Sequence, residues 1–92
     1  MIRTVKGAAT RQFIETGKSK FPGLDVELAN QRIVELNAAN TLDDLGQLNS
    51  TGLHKLKGPL KEFWSINING RWRLLFRFIA GDAHEVHIDD TH

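Results

Sequence analysis

The 92 residues make one domain, residues 1–92, large enough to bury roughly two-thirds of the surface of the unfolded chain. The net charge is +1 and cysteine is absent, which excludes a disulfide scaffold, a thiol nucleophile and a cysteine-ligated zinc site. No run approaches the roughly 18 apolar residues of a membrane span, and the first residues lack the apolar core of a signal peptide, so the expected location is cytoplasmic.

In chain order, Met1 to Val5 is β-branched enough for a short strand. Ala8 to Thr16 has helix-compatible composition, with Ala9 and Phe13 four apart and Gly17 at the place of a C-cap glycine. A polar loop follows to Pro22-Gly23. Asp25 is positioned to cap a second helix in which Val26, Ala29, Ile33 and Leu36 form one apolar stripe. Thr41-Leu42-Asp43-Asp44 has capping-box spacing and predicts a short third helix carrying Leu42, Leu45 and Leu48. Asn49-Ser50-Thr51-Gly52 breaks the helical pattern, and Leu53 to Leu60 reads as a short strand or bend before Gly58-Pro59 turns the chain.

The rest is strand-rich. Glu62 to Ile68 and Arg71 to Ile79 flank Asn69-Gly70, a pair suited to a type I′ turn because both of its central residues need positive φ. Alternation puts Trp72, Leu74, Phe76 and Phe78 on one face of the second strand, and Arg71, Arg73, Leu75, Arg77 and Ile79 on the other. A second turn at Ala80 to Ala83 leads to a last strand, His84 to Ile88. The expected fold class is therefore α+β: an N-terminal strand, two helices and a short third helix, packed on a mostly antiparallel C-terminal sheet.

The small net charge hides an asymmetry. Between positions 55 and 77 stand Lys55, Lys57, Lys61, Arg71, Arg73 and Arg77 against Glu62 alone, while the other acids lie in the helical half and at the end of the sequence. A local basic patch on a near-neutral domain points to an anionic partner, and guanidinium groups suit phosphate. Among the four histidines, His84 and His87 are three apart, which on a strand puts them on opposite faces, as exposed residues unable to share a metal. No metal site is expected. His54, three residues before Lys57, and His92, two after Asp90, are the candidates for chemistry, since imidazole takes or gives a proton near neutrality while Lys and Arg neutralise phosphate oxygens. With the last strand beside the arginine-bearing one, His54, Lys57, Arg73, Asp90 and His92 are expected to converge. Such a set suits RNA cleavage in which the ribose 2′-hydroxyl attacks the adjacent phosphate.

The segments Leu53-His54-Lys55-Leu56-Lys57-Gly58, Phe63-Trp64-Ser65-Ile66, Asn69-Gly70-Arg71-Trp72-Arg73-Leu74-Leu75-Phe76, Gly81-Asp82-Ala83 and Asp90-Thr91-His92 resemble the HigB toxins of type II toxin-antitoxin systems, within the wider RelE-like group. The resemblance runs over essentially the whole chain. It implies a ribosome-dependent mRNA endonuclease working without metal or other cofactor, with His54, Asp90 and His92 catalytic and Lys57 and Arg73 binding or stabilising phosphate. His92 is expected as the general acid, with His54 or Asp90 as the base. Lys55, Lys61, Arg71 and Arg77 are the expected RNA-binding residues. The implied partners are a helix-turn-helix, HigA-like antitoxin and the ribosomal A site with its mRNA, and DNA is met only through the antitoxin. The family typically ends Asp-Tyr-His, whereas Thr91 stands in the middle position here and the sequence has no tyrosine. A threonine hydroxyl cannot stack on a base as a phenol ring does. Three alternatives stand beside this reading: a toxin of the same fold with a non-RNA target such as gyrase, a catalytically weakened antitoxin-binding module, and a DNA-binding repressor. The last is disfavoured because the basic residues lie on strands and loops rather than on one recognition helix.

Overall fold

Local signals legible in the sequence set the helix ends. The computed structural model describes residues 1–48 and 51–90. Helix α1 (Ala8–Thr16) stops at Gly17, whose φ of 77° is the left-handed conformation of a C-cap and whose N–H donates to the Phe13 carbonyl at 2.8 Å. Helix α2 (Val26–Ala38) starts at Asp25, whose Oδ1 accepts from the Leu28 N–H at 3.0 Å. Helix α3 (Leu42–Gly46) opens on a complete capping box: Thr41 Oγ1 accepts from the Asp44 N–H, and Asp44 Oδ2 accepts from the Thr41 N–H at 3.1 Å. Leu45 is fully buried, but Leu48 stays exposed. None of these helices is long and apolar enough to cross a membrane.

The second half of the chain builds one antiparallel sheet, β1 (His54–Lys55), β2 (Trp64–Asn67), β3 (Trp72–Ile79) and β4 (Asp82–Asp90), in that order across the sheet. A 3₁₀ turn at Gly58–Leu60 links the first two. The expected α+β architecture is thus present. The N-terminal strand is reduced to two isolated parallel bridges to β4, Ile2 with Ala83 and Val5 with Val86. Its ladder is interrupted because β4 carries a bulge between them. Glu85 has a φ of 53°, two residues oppose Phe76, and the Glu85 N–H is met by Thr4 Oγ1 at 2.7 Å instead of a backbone carbonyl.

The helices cover one face of this sheet. Phe13, Ala29, Leu36 and Leu45 meet Ile66, Leu74, Phe76 and Val86 in a single core, each large side chain contributing about 1.5–3 kcal/mol by leaving water. The α2 stripe differs from the expected one. Val26 is exposed and Ile33 half-buried, while Arg32 is buried beside Ala29 and Leu36. Arg32 tolerates burial because its charge is paired: Nη1 donates to Glu35 Oε1 at 2.7 Å and Nε to the Asn67 carbonyl at 2.8 Å.

The hairpin turn between β2 and β3 differs from its expected conformation. At Asn69-Gly70 only the glycine has positive φ, so the turn is not type I′. The Asn69 side chain is committed elsewhere, its Oδ1 accepting from the Asp25 N–H at 2.8 Å and its Nδ2 donating to the Gly23 carbonyl at 3.0 Å. Trp72 joins this clamp, with Nε1 donating to the Pro22 carbonyl at 2.8 Å and its ring met edge-on by Phe21. The turn in which both central residues have positive φ is Ala80-Gly81, at 51° and 84°.

Beside that turn, the carboxyl of Asp82 is held below the usual carboxylate range, first by its hydrogen bond from Arg3, whose Nε lies 3.1 Å away, and then by the charges of Arg3 and the N-terminal ammonium. In the folded state Asp82 therefore stays ionised where the unfolded chain takes up a proton. Its contribution is complete above about pH 4 and is lost as pH falls through the lower folded value. The variant D82N is expected to flatten the acid limb of stability against pH below about pH 4. Denaturant titrations at stepped pH measure this, and an unchanged slope would contradict it.

Candidate active site

The face of the sheet turned away from the helices carries the candidate chemistry. Directly opposed residues in an antiparallel sheet share a face, so the pairings define two parallel rows. One row runs His54, Ser65, Leu75, His87 and the next Asn67, Arg73, Asp89. Adjacent strands lie about 4.8 Å apart and alternate residues about 6.7 Å apart, which puts the His54 and Arg73 backbones roughly 12 Å from each other. That gap is within reach of an extended guanidinium and an imidazole leaning toward one phosphate.

Between them is an open cleft of about 490 Å³ lined by Gly52, His54, Leu56, Ser65, Asn67 and Arg73. The fold thus brings His54, from the short first strand, and Arg73, from the long third one, to a single cavity. Asn67 and Ser65 line it as well. Sequence reasoning did not single them out, although alternation from Trp64 inward would have placed both on the face of Arg73.

The cleft floor depends on a close approach of backbones. The Asn67 N–H donates to the Thr51 carbonyl at 2.6 Å, and Gly52 has a φ of 56°. A Cβ on Gly52 would collide with Nδ2 and Cγ of Asn67. Glycine suits this position by its conformation, and a Cβ would force the Asn67 amide to shift.

The other expected site residues fall around this cleft. Lys57 follows the cleft-lining Leu56 and is exposed at the start of the 3₁₀ turn, and Lys61 is exposed at its end. Lys55 lies on the opposite face of β1 from His54, its Nζ 5.1 Å from the centre of the Trp64 ring. Arg71 lies 4.8 Å above the Trp72 ring, with its Nε 3.8 Å from Asp90 Oδ2. Arg77 is held between Glu85, at 3.0 Å, and Glu62, at 3.7 Å. Arg71 and Arg77 are therefore paired with acids, and Arg73 lines the cleft. Asp90 stands opposite Trp72 in the register, and the acid directly across from Arg73 is Asp89. Thr91 and His92 lie outside the described residues.

The bulge at Glu85 also corrects the reading of the two nearby histidines. His84 opposes Arg77 and His87 opposes Leu75, two residues of the same face, so both histidines share that face instead of lying on opposite ones. His87 is buried, not exposed. Its Nδ1 sits 2.8 Å from the Glu85 carbonyl, which can only accept, so Nδ1 carries the proton, and its ring meets Phe63 edge-on. Among the described residues no three His, Asp or Glu side chains gather as metal ligands.

The family model for the RelE-like toxin of type II toxin-antitoxin system HigB matches residues 5–92. The chain is 37% identical to the endoribonuclease HigB of Proteus vulgaris over 95 residues, covering all of both proteins. Among solved structures, the crystal structure of a mutant of YafQ from E. coli superposes with a TM-score of 0.67, covering 99% of this chain and 94% of that one at 10% identity, a likeness of fold. The chain belongs to the HigB-like toxins of type II toxin-antitoxin systems. Membership brings with it an antitoxin partner.

The substitution G52A is expected to cost about 2–4 kcal/mol, combining the positive-φ penalty with displacement of Asn67. Replacing Asn67 by serine in the same chain should return only the part due to the collision. Chemical denaturation of the single and double variants measures both. A G52A protein as stable as the parent would contradict the close approach.

Proposed function

We propose that this chain is the endoribonuclease toxin of its toxin-antitoxin pair and cuts mRNA on the ribosome, in the cytosol, by internal attack of the ribose 2′-hydroxyl. The observation that carries the reading is the meeting of His54 and Arg73 in one cleft, on the scaffold of a family whose relative in Proteus vulgaris bears the name of an endoribonuclease.

In the proposed reaction a base removes the 2′-hydroxyl proton, the 2′-oxygen bonds to the adjacent phosphorus, and the bond to the 5′-oxygen of the next nucleotide breaks. An acid returns a proton to that oxygen. The products are a 2′,3′-cyclic phosphate and a 5′-hydroxyl, and no water, metal or electron carrier is consumed. His54 reaches the cleft from its edge and is assigned the proton transfer at the 2′-oxygen. Arg73 rises from the cleft wall and can present two N–H groups to the phosphate as its charge grows, the geometry in which arginine exceeds lysine. Lys57, exposed beside Leu56, adds positive charge at the cleft mouth. Asp90 and His92 enter by resemblance, Asp90 as a second proton acceptor and His92 as the acid at the leaving oxygen, with Thr91 in the place of the family tyrosine. Lys55, Lys61, Arg71 and Arg77 are assigned to the wider RNA and ribosome surface, where charge rather than exact geometry suffices. The antitoxin partner is proposed to be of the helix-turn-helix type.

The test is induction in cells carrying a translated reporter, with primer extension to locate cuts. Cuts are expected only in translated message, and a copy whose start codon is removed should remain whole. In a reconstituted translation system H54A is expected to lower the cleavage rate about 10²–10⁴-fold, and R73A on the order of 10²-fold or more, with R73K recovering only part. A message with a 2′-deoxy sugar at the cut site should resist cleavage. Equal cutting of the deoxy message would refute the internal attack, and full activity in both alanine variants would refute the site.

A further inference from the structure

Two asparagines stand two residues apart on the β2 side of the hairpin, and they are used differently. Asn69 spends both ends of its amide on the Gly23 to Asp25 loop. Asn67 spends only its backbone: its N–H donates to Thr51, and its carbonyl accepts from the buried Arg32 guanidinium at 2.8 Å. Its side-chain amide makes no hydrogen bond to any described residue, and it lines the cleft in the same cross-strand row as Arg73. The backbone is therefore fixed from two sides, one by α2 and one by the segment before β1. The side chain is left with a full complement of donors and an acceptor.

Strand packing does not call for that combination. Asparagine is disfavoured in strands, where a β-branched residue would pair and pack better. The Asn67 amide is not sealed from solvent, so it stands open to whatever enters the cleft. The chain nevertheless keeps the amide and makes room for it, since Gly52 lacks the Cβ that would collide with it. Such an arrangement fits a ligand that completes the hydrogen bonds. Arg73 across the row suits the phosphate, so the group left for Asn67 is what lies beside a phosphate in a single strand, a base presented edge-on.

We propose that Asn67 is the base-reading residue of the cleft, offering its carbonyl and amino groups as a matched pair to the edge of one unpaired base while Arg73 holds the neighbouring phosphate. This rests on the nuclease reading above and deepens it. An amide matches an edge with one donor beside one acceptor. A carboxylate of the same shape accepts only, and matches an edge with two adjacent donors, which among the four bases is the N1–H and N2–H pair of guanine. Arg32 is then a positioning residue, setting the height of the amide from behind through the Asn67 carbonyl.

The experiment maps cleavage sites across many messages in a reconstituted translation system for the parent, N67D and N67T. N67T keeps a strand-compatible side chain and guards against a failure of N67D to fold, and melting curves establish that each variant is folded. The parent is expected to show a base preference at one fixed position relative to the cut. N67T should reduce that preference on the order of tenfold, and N67D should move it toward guanine at the same position only. A uniform fall in cutting, with the base distribution unchanged at every position in both variants, would overturn the proposal and make Asn67 a packing or backbone-contacting residue. Absence of cutting by the parent protein in the same assay would instead overturn the nuclease reading, and this inference with it.

Discussion

The register of β3 against its two neighbours is the constraint on which the rest of the molecule depends. With Leu74 opposite Ile66 and Ile88, the apolar side chains of three strands point together toward the helices, and Asn67, Arg73 and Asp89 point together away from them. A slip of one residue would bury Arg73 and expose Leu74 and Phe76, so the hydrophobic core itself enforces the position of the cleft-lining arginine. The register is pinned at both ends of the strand. At one end Asn69 and Trp72 tie the hairpin to the loop before α2, and at the other the two positive-φ residues Ala80 and Gly81 close the turn to β4.

The same sheet sorts its cations. The run of basic residues from Lys55 to Arg77 looks uniform as a sequence, yet cross-strand geometry gives each a different environment. Arg77 is paired with two glutamates, Arg71 with Asp90 and the Trp72 ring, and Lys55 with Trp64 on the far face. Exposed pairs of this kind contribute little to stability, roughly 0–1 kcal/mol each. Of the basic residues, Arg73 lines the cleft and the exposed Lys57 stands next to the cleft-lining Leu56.

Much of this was legible because the signals are local. A glycine after a helical run, an aspartate before one, and a threonine three residues from an acid each specify a backbone conformation within a few residues, and Gly17, Asp25 and Thr41 all behave as those spacings require. The antiparallel meander and the two faces of β3 followed from alternation. What escaped was decided by distant partners. Arg32 falls outside the apolar stripe read from the sequence, yet it is buried, with its Nε bonded to the Asn67 carbonyl. The Asn69-Gly70 pair has the composition of a type I′ turn, but the asparagine side chain is recruited by a loop more than forty residues away in sequence. The bulge at Glu85 has no glycine to announce it, and it reversed the relative facing of His84 and His87. Of the site, His54 and Arg73 could be named in advance by chemistry and resemblance; alternation also puts Asn67 on the face of Arg73, but its place in the cleft beside Gly52 shows only once the folded segments are laid side by side.

The central claim is that His54 and Arg73, from strands separated by β2, act on one and the same phosphate. Its most direct measurement is a double-mutant cycle on the rate of RNA cleavage, using the parent, H54A, R73A and the double variant. Groups serving a single transition state are strongly non-additive. The account predicts that the double variant cleaves little more slowly than the slower of the two single variants. Losses that simply multiply would show two groups acting independently and would contradict it.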